Sequence, residues 1–410
     1  SPVDIVFFSR IDDYADFINE QYINRHIDPL IQLTEKQSNL NYLKLELITN
    51  RFYQTLPRFR NTVTLKPYLD KSKNLEKNNS ITNFQELKQF ILKISSIDIQ
   101  ENYFIRQAEV IENFEKFFLK KLPFIKPNQI FLVCYYHPKV MGLISACKKL
   151  NIITIDIQHG KQGKYHAMYS HWTKIPEEGY QLLPDYFWSW GQESRENIRR
   201  WHPKNCQHHQ PIVGGNCWLG HWINGKGYPL GSEIDNFLSK LKEYDKVILI
   251  TLQPFKKISD IIPDCLLQAT LRSPSKWIWL IRLHPHQKSR IEEIQDYLKQ
   301  YKIKNFELEQ STYLPLYALL NYANKHITCW SSVCYEALLF GVPTVIIHPT
   351  GLELYKQYID EGKFSYAETS SELLNKLNNY INKENLKEEK PYIETDLNIA
   401  EKTLNYLVKK

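Results

Sequence analysis

Short apolar runs rich in β-branched and aromatic residues, each followed by a helix-length segment, recur through this 410-residue chain. IFLVCYY (130–136), NIITIDIQ (151–158), DYFWSWG (185–191) and QPIVGG (210–215) form one series, with VDIVFF (3–8) near its start. KVILITL (246–252), KWIWLIRL (276–283), KHITCW (325–330) and TVII (344–347) form a second. Such runs read as strands buried on both faces, and strands alternating with helices predict parallel sheets covered on both sides.

Six of the 14 glycines fall between Gly214 and Gly231, which places an interdomain linker there. The chain also exceeds what one core ordinarily serves. The reading is α/β: two Rossmann-like domains with an interdomain cleft, residues 1–225 and 226–394. A terminal helix, 395–410, carries Leu397, Ala400, Leu404 and Leu407 on one face and is expected to pack back toward the first domain. Residues 12–121 read as helical and lysine-rich, with a loop near 71–80. Further helices are expected at 138–150, 291–301, 314–323 and 332–340, and a capping box at Thr369–Glu372 opens another.

Hydrophobic residues at 43% and charged residues at 24% describe a globular protein. A net charge of +7 suits a phosphate-bearing ligand or an anionic surface and is too small to argue for nucleic acid. The seven cysteines lack CxxC pairing and read as reduced thiols of a cytoplasmic protein. No apolar run reaches the ~18 residues of a membrane span. SPVDIVFFSR lacks the charged start and long apolar core of a signal peptide.

In open parallel sheets ligands sit at the carboxyl ends of the strands, so polar residues that end strands are the candidates. Arg282, His284 and His286 end one strand. Ser331 and Ser332 follow another and open the helical segment SSVCYEALLF, where free N–H groups favour an anion. Alone, Ser331 reads equally well as a helix cap, and His284 reads more readily as a structural residue than as a functional one. On one sheet edge together, they point to a phosphate. Glu336 lies one turn deeper on the face of Ser332, within reach of a ribose diol.

In the first half, Asp156, Gln158, His159 and His166 cluster at the edge where IITIDIQ ends, and a histidine titrating near neutrality suits proton transfer. Arg10, Tyr136 and His137 end other strands and are acceptor-site candidates. WHPKNCQHHQ (201–210) offers His202, Cys206, His208 and His209, at a spacing that fits no standard metal-ligand set. Asp12–Asp13 is an acidic pair of the kind that can hold a metal, and no metal is expected there.

RLHP together with CWSSVCYEALLFGVP resembles the HP and SS motifs of GT-B glycosyltransferases that use cytidine-nucleotide donors. These are bacterial sialyltransferases, Kdo transferases of capsule and O-antigen synthesis, and polysialyltransferases; teichoic-acid glycerophosphotransferases look similar. The resemblance implies donor binding by Arg282, His284, Ser331, Ser332 and Glu336. A comparable His-Gly in the glycerophosphotransferases implies His159 as the catalytic group, with His166 and Asp156 as rivals.

The implied activity is cytoplasmic and metal-independent, with no cofactor beyond the nucleotide-sugar substrate. A sugar moves from a CMP-sugar, such as CMP-Kdo or CMP-sialic acid, to a surface-polysaccharide or glycolipid acceptor of capsule or lipopolysaccharide. Glycerophosphate transfer from CDP-glycerol and nucleotide-sugar 2-epimerisation are the alternatives. The implied partners include no nucleic acid, and peripheral association with the inner membrane or a larger synthase is compatible with this reading.

Overall fold

The structure is a computed structural model that describes residues 3–10, 15–18, 20–37, 39–48, 57–66, 80–160, 162, 166–172, 174–203, 206–224, 227–379 and 392–410. Asp12, Asp13 and most of the loop expected at 71–80 lie outside them. The chain forms two compact units: residues 1–15, 24–215 and 398–410 in the first, 16–23 and 216–397 in the second. Among the described residues no helix is long and apolar enough to cross a membrane.

The strands in chain order are β1 (Ile5–Arg10), β2 (Ala15–Ile18), β3 (Gln21–Asn24), β4 (Tyr42–Leu47), β5 (Val63–Leu65), β6 (Gln129–Val133), β7 (Ile153–Ile157), β8 (Tyr186–Ser189) and β9 (Gln210–Val213). They continue as β10 (Lys246–Thr251), β11 (Trp277–Arg282), β12 (Phe306–Glu307), β13 (Lys325–Thr328), β14 (Thr344–Ile346) and β15 (Phe364–Tyr366). Unit 1 holds a parallel seven-stranded sheet in the order β5-β4-β1-β6-β7-β8-β9. Unit 2 holds a parallel six-stranded sheet, β12-β11-β10-β13-β14-β15. In each sheet the chain starts near the centre, runs out to one edge, then returns to fill the other side. That is the doubly wound pattern, and it creates a switch point between β1 and β6 and another between β10 and β13.

The strands form where apolar runs can be buried on both faces. Val6 and Phe8 of β1, with Ile130 and Leu132 of β6, join Phe114, Phe118 and Leu122 of the helix Glu101–Ile125 in the unit 1 core. That helix lies against the helix Pro138–Lys149 so closely that a Cβ on Gly142 would stand 2.6 Å from the Ile111 carbonyl oxygen. The unit 2 core gathers Ile250, Trp279, Ile281 and Ile327. Inside it, His326 is held between the hydroxyls of Thr251 (2.9 Å) and Thr344 (3.0 Å), and burial depresses its pKa to about 3.

The wholly helical reading of residues 12–121 fails, because β2 to β5 lie within it. The reason is visible in β4, YLKLEL, where Lys44 and Glu46 are buried although both are charged. Lys44 pairs with Asp28 at 2.8 Å and Glu46 with Arg58 at 2.7 Å, so the charges that suggested a solvated helix neutralise one another inside the fold. The glycine-rich stretch contains the unit boundary at 215–216 and a short helix, Cys217–Ile223, capped by the Asn216 side chain. The box at Thr369–Glu372 forms with both arms present. The terminal helix Leu397–Val408 buries Ala400, Leu404 and Leu407, and Thr403 donates to the Val213 carbonyl at 2.8 Å within unit 1.

Candidate functional site

At the carboxyl edge of the unit 1 sheet, β6 ends on Cys134, whose left-handed backbone (φ 62°) turns the chain so that Tyr135, Tyr136 and His137 follow in a tight loop. The Tyr136 hydroxyl stands 3.1 Å from His159 Nε2, just beyond β7. The rings of Tyr136 and His166 are 5.4 Å apart, and those of His166 and Tyr169 4.8 Å. One edge thus brings together His159, His166 and Tyr136, with Tyr169 packed beside them. His159 sits deep among protein groups yet keeps a solvent-accessible face. Burial first, then the charge of His166, lowers its pKa to about 4, with a backbone hydrogen bond at Ile157 opposing and Arg10 adding to the fall. The ring is therefore neutral at ordinary pH, ready to accept a proton.

Asp156 is placed differently from its expected catalytic position. It is 0% exposed; its Oδ1 accepts the Tyr135 N–H (3.0 Å) and its Oδ2 the Tyr169 hydroxyl (2.8 Å). Burial pushes its pKa up to about 7 against those hydrogen bonds. Asp156 is thus a positioning residue that orients Tyr169. Gln158 is likewise committed to the scaffold, accepting the Trp190 N–H at 2.6 Å and donating to Ser194 and to the Gly160 carbonyl.

Arg25 and His26 were missed. Asn24 Oδ1 accepts the N–H groups of His26 and Ile27, shaping a turn that ends on Asp28–Pro29 at the start of a helix. His26 is held well below its usual pKa by burial, then by Arg25 and by its nearness to His159. The Asn24-x-x-x-Asp28-Pro29 turn was the available signal, hidden by the helical reading of that half.

His284 Nδ1 accepts the N–H of His286 at 3.2 Å, so the ring caps the short turn opened by Pro285. The same construction recurs at His137–Pro138 (Lys139 N–H, 3.2 Å) and at His348–Pro349 (Thr350 N–H, 3.1 Å). In all three a histidine after a strand does what Ser or Asp usually does as a helix cap. A ring nitrogen that accepts carries no proton, so the neutral ring holds its proton on Nε2 as the remaining donor. Burial lowers all three pKa values, that of His137 to about 4, with further lowering by Arg10 at His137 and by His286 at His284.

Ser331 serves its own turn: its N–H donates to Thr328 Oγ1 (3.2 Å) and its Oγ accepts the Val333 N–H (3.3 Å). Ser332 precedes the helix Val333–Leu339 and makes no capping bond. Arg282 donates to the carbonyls of Ser311 (2.7 Å) and Leu314 (2.6 Å), which gives it a structural task. Glu336 is buried and accepts the Tyr317 hydroxyl at 2.7 Å. An aromatic group also escaped the sequence. Trp330 lies 5.1 Å from Phe255 and 4.6 Å from His348, ring to ring, where β10, β13 and β14 end. Its signal was positional, each residue standing two to four places after a strand.

In the histidine-rich stretch 201–210, the rings of His202 and His209 meet backbone groups. His209 Nε2 accepts the Tyr180 N–H (2.8 Å), its Nδ1 lies 2.6 Å from the Pro184 carbonyl, and the His202 ring bonds the His208 carbonyl. Among the described residues no three potential metal ligands stand together.

No family model matches the chain, and no curated protein matches it in sequence. Solved structures match it along its whole length. The UDP-GlcNAc 2-epimerase of Neisseria meningitidis, bound to UDP-GlcNAc, is 16% identical with a TM-score of 0.60 and 99% of both chains covered. That of Methanocaldococcus jannaschii, in complex with UDP-GlcNAc and UDP, is 15% identical with a TM-score of 0.59 over 100% of both. The wall teichoic acid polymerase TagF, in a variant soaked with CDPG, is 13% identical with a TM-score of 0.56, covering 100% of this chain and 88% of that one. The fold is therefore GT-B-like: two Rossmann-like domains with parallel sheets.

Proposed function

We propose that the chain is an enzyme acting on a nucleotide-activated sugar, with the nucleotide held at the carboxyl edge of unit 2 and proton transfer supplied by unit 1. The observation that carries this reading is the coincidence of the unit 2 switch point with Ser331 and Ser332, where doubly wound sheets bind ligands. His284 ends the neighbouring strand β11 with its Nε2–H as a donor for phosphate oxygen. Of the residues first assigned to the donor, Arg282 and Glu336 act on this account by supporting the loops. His159 acts as the base, with Tyr136 bonded to it and His166 alongside.

The reaction first in line is 2-epimerisation of a UDP-sugar, supported by the whole-chain likeness to structures that carry UDP-GlcNAc. Group transfer from a CMP-sugar or from CDP-glycerol is the second reading. It is favoured by the RLHP and WSSVCYEAL motifs. Incubation with UDP-GlcNAc alone in D2O separates the two. Epimerisation gives the C2 epimer, and deuterium at C2 if the proton lost there exchanges with solvent. A transferase leaves the donor unchanged until an acceptor is added. A chain that binds none of UDP, CMP and CDP, and turns over none of their sugars, does not belong to this class.

A further inference from the structure

We infer that the helix Phe84–Ser95 of unit 1 is a self-association surface, which pairs antiparallel with the same helix of a second copy. Leu87, Phe90 and Ile94 are 46%, 61% and 66% exposed, and their spacing of three and then four residues is that of a coiled-coil seam. The helix is held to its own unit along a different line: Phe84 is buried against the Phe104 ring at 6.0 Å, and Lys88 is paired with Asp98 at 2.8 Å. Ile97, Tyr103 and Phe104, 59%, 60% and 42% exposed, extend the apolar patch beyond the seam.

The charges select the occupant. Glu86 and Lys93 stand seven residues apart, at the same position of the repeat and on one flank of the seam. In an antiparallel pair with two-fold symmetry, that flank meets its own copy. With Leu87 of each helix layered on Phe90 of the other, Glu86 reaches Lys93 of the second copy, and the reciprocal pair forms by symmetry. Sliding one heptad layer further sets Lys93 against Lys93 and is disfavoured. An anionic lipid surface fits less well. Residues 81–104 carry three acidic residues (Glu86, Asp98, Glu101) against two lysines (Lys88, Lys93), and Lys88 is already paired.

The test is sedimentation analysis of the full chain across a concentration series, with melting temperature as the check on folding. The wild type is expected to dimerise. Phe90→Asp, at an exposed position, is expected to melt normally and to weaken the dimer at least about thirtyfold, as losing a central apolar anchor does. Glu86→Lys is expected to weaken it less, and the exchange Glu86→Lys/Lys93→Glu to restore it, a rescue that mere loss of apolar surface cannot give. A wild type that stays monomeric overturns the proposal. So does a dimer indifferent to Phe90→Asp, or a single charge reversal that the exchange does not rescue. Flotation of a monomeric wild type with phosphatidylglycerol vesicles, abolished by Phe90→Asp, assigns the face to lipid and overturns it equally.

Discussion

The two sheets share one winding but end in different chemistry. The unit 2 edge presents hydroxyls and capped imidazoles: Ser331, Ser332, His284 and His348. The unit 1 edge carries one such capped ring, His137, and adds a histidine among phenols: His159 with Tyr136, beside His166 and Tyr169. Capped rings with fixed Nε2–H donors suit a constant anion. A neutral ring with an accessible face, bonded to a hydroxyl, suits a proton that moves. On the proposed reading, one scaffold serves binding or reaction according to which atoms its strand ends leave free.

Removing His159 is the strongest way to break this division. His159→Ala should lower turnover at least about 100-fold, as loss of a general base does, while nucleotide affinity stays near wild type. His166→Ala is the matched control; near-normal turnover by His159→Ala moves the proton transfer elsewhere. His284→Ala should act in the opposite way. Loss of a hydrogen bond to a charged phosphate costs about 1.5–3 kcal/mol, tenfold or more in Kd, with little effect on turnover at saturation. An unchanged Kd would make the His284–Pro285 turn a structural cap.

Tyr136→Phe sharpens the unit 1 side. It removes the hydroxyl that meets His159 Nε2 and should slow turnover about threefold to tenfold, the worth of one neutral hydrogen bond. Near neutral pH the smallest effect is on stability. His137, His159 and His209 have pKa values lowered to about 4 and His326 to about 3. These rings stay neutral in the folded chain but take up protons in the unfolded chain below about 6.5. The unfolded state then binds more protons, so stability falls as pH drops from 6.5 toward 4. Asp156, raised to about 7, contributes the opposite slope from its ordinary value near 3.9 up to 7 and offsets part of the fall. Melting temperatures that stay level between pH 6.5 and 4.5 would contradict these burial assignments.

Most of the fold was legible because buried parallel strands announce themselves as unbroken apolar runs, as in WIWLIR and IFLV. β4 escaped because its charges are paired inside the fold, and pairing is invisible in a sequence. The site was legible as a set of strand ends and no further. Ser331 and His284 became candidates as strand-end residues, and His159 as a strand-end residue with a comparable His-Gly in glycerophosphotransferases. That Asp156 points into the core, that Arg282 braces two carbonyls and that Glu336 accepts the Tyr317 hydroxyl depends on partners distant in the chain. Arg25 and His26 needed the turn that Asn24 shapes, and Trp330, Phe255 and His348 needed three strands in register.

The division of labour between the two edges is the central claim, and calorimetric titration with UDP, CMP and CDP tests it most directly. The proteins to compare are the wild type, His159→Ala and the double variant Ser331→Ala/Ser332→Ala. The account predicts that one of these nucleotides binds the wild type and His159→Ala alike and binds the double variant at least about tenfold more weakly, each lost bond to a charged phosphate costing about 1.5–3 kcal/mol. Nucleotide binding that survives in the double variant and disappears in His159→Ala would contradict it.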